Sequence, residues 1–164
     1  MAKQSAGVLL YQKHNSPVQV LLVHPGGPFW ARKDKGAWSI PKGEFDEAEE
    51  PLTAAKREFQ EELGQTPPAG DYRELGTVKN KSGKVIHVWA VEGDLDVKQF
   101  KSNTFTLEWP PRSGRVMEFP EADKAAWFDL DTARQKLHPA QTPFLDRLAE
   151  LLDLPPPAEQ TTLL

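Results

Sequence analysis

Residues 50–64, EPLTAAKREFQEELG, constrain the fold more than any other stretch of this chain. Pro51 suits the first position of a helix and Gly64 suits its C-terminal stop. Acidic Glu49 and Glu50 fall at the positive end of the helix dipole. The spacing predicts a helix from Glu50 to Leu63. At about 100° per residue, Leu52, Ala55, Phe59 and Leu63 share one stripe, and such a stripe has to be buried against another layer.

The flanking sequence supplies that layer. Ala6–Tyr11 and Val18–His24 read as strands, and the intervening Gln12–Pro17 carries the turn signal Asn-Ser-Pro. Residues 25–36 read as a loop with Pro-Gly-Gly-Pro at its start. Trp38-Ser39-Ile40 is expected to be extended, because Pro41 disfavours helical geometry in the residue before it. Tyr72–Lys79 and Lys84–Glu92 read as a second pair of strands joined through Asn80-Lys81-Ser82-Gly83. Residues 93–124 carry no clear period. Ala125–Leu130 reads as a strand, and Asp131–Leu137 and Pro143–Leu152 as helices, the last with Thr142 as its N-cap. Strands on both sides of the central helix predict a mixed α/β sandwich instead of a regular alternating parallel sheet. One domain is expected over residues 1–154, with an extended tail over 155–164.

Composition narrows the function classes. The chain has 164 residues, 38% hydrophobic and 27% charged. No apolar run approaches the roughly 20 residues that span a bilayer, so no membrane partner is expected. There is no cysteine, which removes disulfides, zinc–thiolate sites and thiol catalysis. A cytoplasmic setting is expected. The net charge of −4 gives no overall basic surface, so no nucleic-acid partner is expected.

Chemistry is concentrated in the helix. Glu58, Glu61 and Glu62 stand at i, i+3 and i+4, so their carboxylates share one face, beside the apolar stripe. Three like charges at that spacing repel unless a cation lies among them. Hard divalent cations, Mg²⁺ or in its place Mn²⁺, prefer carboxylate oxygens. A solvated acidic surface is the alternative for such a cluster taken alone. A calcium site of the helix–loop–helix kind is disfavoured, because the oxygen-rich 12-residue loop is missing.

The wider pattern goes further. Gly43, Glu49, Arg57, Glu58, Glu61, Glu62 and Gly64 fit G-x(5)-E-x(7)-R-E-U-x-E-E-x-G-U, where U is a bulky apolar residue. In these 23 residues the chain resembles the Nudix hydrolase family. Phe59 fills the first apolar position, and Gln65 departs from the last. The resemblance implies a Nudix-type α/β/α sandwich with a mixed β-sheet and a loop–helix–loop catalytic box. It implies hydrolysis of a nucleoside diphosphate linked to another group. Glu58, Glu61 and Glu62 would be metal ligands, joined by the Gly43 carbonyl. Arg57 would orient a glutamate, and Glu49 would be a supporting or metal-linked acid. A catalytically silent nucleotide-sensing or partner-binding module is the alternative that the intact charge cluster argues against.

A general base comes either from the box or from the loop before the late strand, where family members often carry a glutamate ahead of a tryptophan. Glu121, six residues before Trp127, is the choice; Glu118 competes. Pro41-Lys42-Gly43 resembles the form seen in diadenosine polyphosphate and diphosphoinositol hydrolases of the family. Lys42 would hold a distal phosphate as a point charge, and Arg32, Lys33 and Lys35 either extend that patch or form a solvated loop. A tyrosine that helps mark some dinucleoside polyphosphate hydrolases is missing, since no Tyr follows Tyr72. Trp30, Trp38, Trp89 and Trp109 are candidates to stack a base, with Phe29-Trp30 first among them. The four histidines, 14, 24, 87 and 138, show no ligand spacing. The expected partner is a small nucleotide, with the chain a monomer or homodimer.

Overall fold

The computed structural model describes residues 3–13 and 17–155. Half of the expected turn at Gln12–Pro17, residues 14–16 including His14, and the expected tail past Pro155 lie outside the described residues. The elements run β1 (Gln4–Gln12), β2 (Gln19–Pro25), β3 (Lys42–Phe45), α1 (Pro51–Leu63), β4 (Arg73–Lys79) and β5 (Val85–Glu92). They continue as β6 (Thr104–Glu108), β7 (Val116–Pro120), β8 (Ala122–Asp129), α2 (Leu130–Lys136) and α3 (Pro143–Leu151).

A six-stranded sheet has the order β4-β5-β1-β2-β8, with β3 also paired to β1. Strand β1 sits at its centre. Its first half pairs antiparallel with β3, from Gln4 opposite Phe45 to Gly7 opposite Lys42. Its end pairs antiparallel with β2. Along its other edge it runs parallel to β5. Every residue of β1 after Gln4 is buried, as expected of a strand covered on both faces. Ala6, Val8 and Leu10 turn to one side, and Leu9 and Tyr11 to the other.

Helix α1 covers the first side. Ala54, Ala55, Phe59 and Leu63 are buried with Ala6, Val8, Leu10, Leu21 and Val23; Leu52, expected in the same stripe, is only partly covered. Phe59 is fully enclosed, a burial that contributes about 2–3 kcal/mol. Pro51 opens α1 and Gly64 ends it as expected, while Glu50, expected as the first helical residue, caps the N-terminus instead. The Glu50 carboxylate accepts from the Leu52 and Thr53 N–H groups. Gly64 takes a left-handed φ of 72° and donates to the Gln60 carbonyl. A side chain at 64 would also strike the Lys101 carbonyl oxygen, 2.3 Å from the β-carbon position.

Helices α2 and α3 cover the opposite side, burying Ala133, Leu137, Phe144, Leu145 and Leu148 with Leu9, Tyr11, Val20, Leu22 and Val88. The result is the α/β/α sandwich. Thr142 does not cap α3 as expected. It is already in helical geometry, makes no side-chain cap bond, and its hydroxyl donates to the Pro139 carbonyl. The unread stretch 93–124 contains a second, two-stranded sheet of β6 and β7. Both strands are five residues long and at most half-buried; β6 alternates as Thr-Phe-Thr-Leu-Glu over that short span, and β7 does not alternate.

No helix among the described residues is long and apolar enough to cross a membrane.

Candidate active site

Strand β3 lies against α1 and brings the start of the glycine-to-glutamate pattern onto the helix. A β-carbon at residue 43 would sit 2.0 Å from both the carboxyl carbon and Oε2 of Glu58. Glycine is therefore required here for close approach, and the Glu58 carboxylate fills the volume a side chain would need. One residue earlier, the Lys42 backbone N–H donates to Glu62 Oε1 at 3.1 Å. Two of the three helix carboxylates are thus held against the β3 backbone.

The third is held by Arg57. Its Nε and Nη2 form a fork on Glu49, both at 2.8 Å. Its Nη1 donates to Glu58 Oε1 at 3.0 Å and to both oxygens of Glu61 at 3.2 Å. One guanidinium thus fixes three carboxylates through charge-assisted bonds. The Glu49 carboxyl is held below its ordinary range by this bonding to Arg57.

Burial raises the proton affinity of Glu58 and Glu62. Burial first, then the Glu61 charge, pushes Glu58 up against the opposing pull of Arg57. Burial pushes Glu62 up to about 8, opposed mainly by the Lys42 N–H bond. The alternative of a solvated acidic surface does not describe these two groups: Glu58 is 9% exposed and Glu62 is half-buried. Among the described residues no three acid or imidazole groups stand close enough together to form a ready coordination shell, because Glu58 and Glu61 are turned to Arg57. The donor set nevertheless fits a hard divalent cation. It is all oxygen and carries more negative charge than Arg57 offsets, and Gly43 leaves room for a carboxylate beside a backbone carbonyl.

Glu121 joins this group through the backbone. Its N–H donates to the Asn103 carbonyl at 2.8 Å, and the Asn103 N–H donates to the Glu61 carbonyl at 2.8 Å. On the other side the Gly26 N–H donates to the Glu121 carbonyl at 3.0 Å. The Ser102 hydroxyl donates to the Ala122 carbonyl and accepts from the Ala122 N–H. Burial and the charge of Glu61 raise the Glu121 carboxyl, and its charge acts in turn on Glu58 and Glu62. Glu118 lies exposed on β7 opposite Thr106. The backbone bridge thus leads from the box to Glu121. Asn103, Ser102 and Gly26 escaped the sequence reading. Only the Gly-Gly pair hinted at the last, where a β-carbon would sit 2.0 Å from the Pro120 carbonyl oxygen.

The proposed substrate-side residues divide. Lys42 is half-buried on β3, and burial and the neighbouring Lys84 charge lower its pKa. Arg32 and Lys35 are exposed in the loop after β2. Trp30 is 36% exposed, with Lys33 Nζ 5.1 Å from its ring centre. Phe29, 59% exposed, meets Trp109 edge to face at 5.3 Å. Trp38 and Trp89 are buried and have no free face for a base. The indole of Trp38 donates to Asp34, and Trp89 stacks on His87, whose ring bonds Glu74. Gln65, the departure from the box pattern, donates to the Asp96 carbonyl at 3.1 Å, a polar tether where an apolar contact was expected.

An α/β/α sandwich with a glutamate-rich helix docked on a glycine of the adjoining strand defines the class of domain to which this chain belongs. The model of the NUDIX domain matches residues 1–148, and the chain belongs to that family. An 8-oxo-(d)GTP phosphatase of Mycolicibacterium smegmatis is 28% identical over 127 residues, 76% of this chain and 31% of that protein. The chain thus spans about a third of that relative. An RNA pyrophosphohydrolase of Bartonella henselae is 28% identical over 149 residues, 79% of this chain and 78% of that protein. The crystal structure of a C. elegans Ap4A hydrolase binary complex superposes with a TM-score of 0.63 at 20% identity, covering 91% of this chain and 98% of that one. At that identity the likeness concerns the fold alone.

Proposed function

We propose that this chain is a metal-dependent pyrophosphohydrolase. It would cut a phosphoanhydride bond in a nucleoside diphosphate linked to a further group, with dinucleoside polyphosphates or nucleoside triphosphates as substrates. The observation that carries the reading is the seating of the Glu58 carboxylate in the space left by Gly43. An acidic surface helix has no need of a glycine cradle opposite one of its carboxylates.

Glu58, Glu61, Glu62 and the Gly43 carbonyl would hold Mg²⁺, with Mn²⁺ as a substitute. A divalent ion bound there would neutralise phosphate charge and acidify a nearby water. Phosphoryl chemistry of this kind depends mostly on positioning and electrostatic stabilisation. Arg57 supplies positioning by holding Glu49, Glu58 and Glu61 in one array. Glu121, tied to the same helix end through Asn103, takes the proton of the attacking water. Its raised proton affinity suits a group that must accept a proton near neutral pH. Lys42 beside the box, and Arg32 and Lys35 in the loop after β2, hold phosphates beyond the scissile bond, while Trp30 offers an aromatic face.

The test is a magnesium titration of the purified chain against diadenosine tetraphosphate, 8-oxo-dGTP, 5′-triphosphorylated RNA and ADP-ribose, with products identified. Magnesium-dependent release of nucleotide products, fastest on diadenosine tetraphosphate, is the expected result. No turnover on any of the four would overturn the enzymatic reading. A preference for ADP-ribose would overturn the substrate reading alone, and a preference for 8-oxo-dGTP would reduce it to its nucleoside triphosphate half.

A further inference from the structure

His24 is completely buried at the end of β2, yet its two ring nitrogens each meet an acceptor. Nε2 lies 2.6 Å from the Lys33 carbonyl oxygen. Nδ1 lies 2.8 Å from Asp123 Oδ1. A backbone carbonyl only accepts, so Nε2 donates to it, and a proton must also stand between Nδ1 and Asp123. Lys33 belongs to the loop that carries Trp30, Arg32 and Lys35. Asp123 follows Glu121 by two residues on β8.

We propose that His24 is a positioning residue that latches the 29–36 loop to β8, the strand that follows Glu121, and so sets where the loop's cations meet the substrate. The inference rests on the reading of Arg32 and Lys35 as phosphate-holding groups. Long cationic side chains on an exposed loop hold a phosphate weakly unless their backbone is already fixed, because ordering the loop costs conformational entropy at the moment of binding. The loop makes turn bonds of its own, Lys33 N–H to the Trp30 carbonyl and Ala37 N–H to the Asp34 carbonyl. Its far end is anchored by Asp34, which accepts from the Trp38 indole and pairs with Lys136. The His24–Lys33 bond is the anchor at the middle. It is shielded from water because the imidazole is enclosed, with Trp38 packed edge-on against it at 5.3 Å. The Asp123 contact fixes the ring plane that aims Nε2 at the loop. The surrounding core gives this ring no other polar task, and a purely apolar residue would fit a buried strand position better.

The two amide analogues separate the contacts. His24→Gln places an amide nitrogen near the position of Nε2 and keeps a donor for Lys33; His24→Asn places one near Nδ1 and keeps only the Asp123 side. Amide hydrogen exchange over residues 30–37 and steady-state kinetics are measured for both, and the thermal midpoint reports gross unfolding. In His24→Asn the Lys33 and Ala37 amides should exchange about tenfold faster or more, with α1 amides unchanged. Its KM for diadenosine tetraphosphate should rise about tenfold, with a much smaller change in kcat and in KM for ADP-ribose. His24→Gln should recover most of both effects. Unchanged exchange in His24→Asn overturns the latch. So do equal losses on both substrates in the two variants, which is the pattern of a merely structural residue. An Arg32→Ala/Lys35→Ala variant provides the separate control. If its KM for the long substrate stays at the wild-type value, the phosphate-holding reading of the loop is what has failed. If its KM rises while His24→Asn stays at wild type, the positioning role is what has failed.

Discussion

The β-carbon position of residue 43 falls 2.0 Å from the carboxyl carbon of Glu58, so a side chain at 43 and the Glu58 carboxylate compete for one volume. This contact joins strand β3 to helix α1. It explains in steric terms why a glycine fifteen residues upstream belongs to the same site as the glutamate.

Gly43→Ala is therefore expected to lower turnover by about 10² or more, because the Glu58 carboxylate must leave its place, and to destabilise the fold by about 1–3 kcal/mol. In a Glu58→Ala background the same change should be close to neutral for stability. A double-mutant cycle by denaturant unfolding checks this; equal costs in both backgrounds would show that the β1–β3 pairing, and not Glu58, demands glycine.

The box carboxylates themselves come next. Glu61→Gln and Glu62→Gln should each reduce magnesium-dependent turnover by orders of magnitude while circular dichroism shows an intact fold. Near-normal turnover of both purified variants at limiting magnesium removes them from the metal site.

Glu62 also predicts how stability depends on pH. Its carboxyl is pushed up to about 8 in the folded chain and reverts toward about 4.3 on unfolding. Between these values the folded state binds more protons at Glu62, so the contribution of Glu62 to metal-free stability is greatest at low pH and is lost as pH rises toward 8. Thermal midpoints from pH 5 to 8.5 should fall for the wild type and fall less for Glu62→Gln. Magnesium should raise the wild-type midpoint more at pH 8 than at pH 6, because it competes with the proton. Parallel profiles for wild type and variant would contradict the assignment.

Glu121→Gln should lower kcat by roughly 10² with metal affinity less affected than in the box variants. Glu118→Gln should stay within about twofold of wild type, since Glu118 is exposed on the outer hairpin. The reverse order would identify Glu118 as the base. If neither change matters, the proton is taken by a box glutamate.

Lys42→Ala should raise KM for diadenosine tetraphosphate more than for ADP-ribose, because extra phosphates give this cation something to hold. Lys42 is half-buried and its backbone N–H is committed to Glu62, so equal losses on both substrates would mean that it acts on the box loop instead.

The sequence by itself determined the parts whose causes are local. Pro51, Gly64 and the Ala55–Phe59–Leu63 stripe specify α1 through backbone geometry and a 3.6-residue period. Apolar runs specify β1, β2 and β5. The spacing of Gly43, Glu49, Arg57, Glu58, Glu61 and Glu62 was also legible, because one helix and the short strand and loop directly before it contain all six. Tertiary structure alone decided that β1 runs parallel to β5, since no local turn encodes a crossover. It decided that Asn103 bridges Glu61 to Glu121, since those bonds are made by backbone groups that every residue type possesses. It buried Trp38 and Trp89, which the sequence left as candidates for stacking a base. It also turned His24 from a histidine without a partner into a ring bonded on both sides, one contact being to a residue 99 positions away. Local propensity reports what a segment can become, but a hydrogen bond or a steric clash between distant segments exists only once the sheet has brought their backbones together.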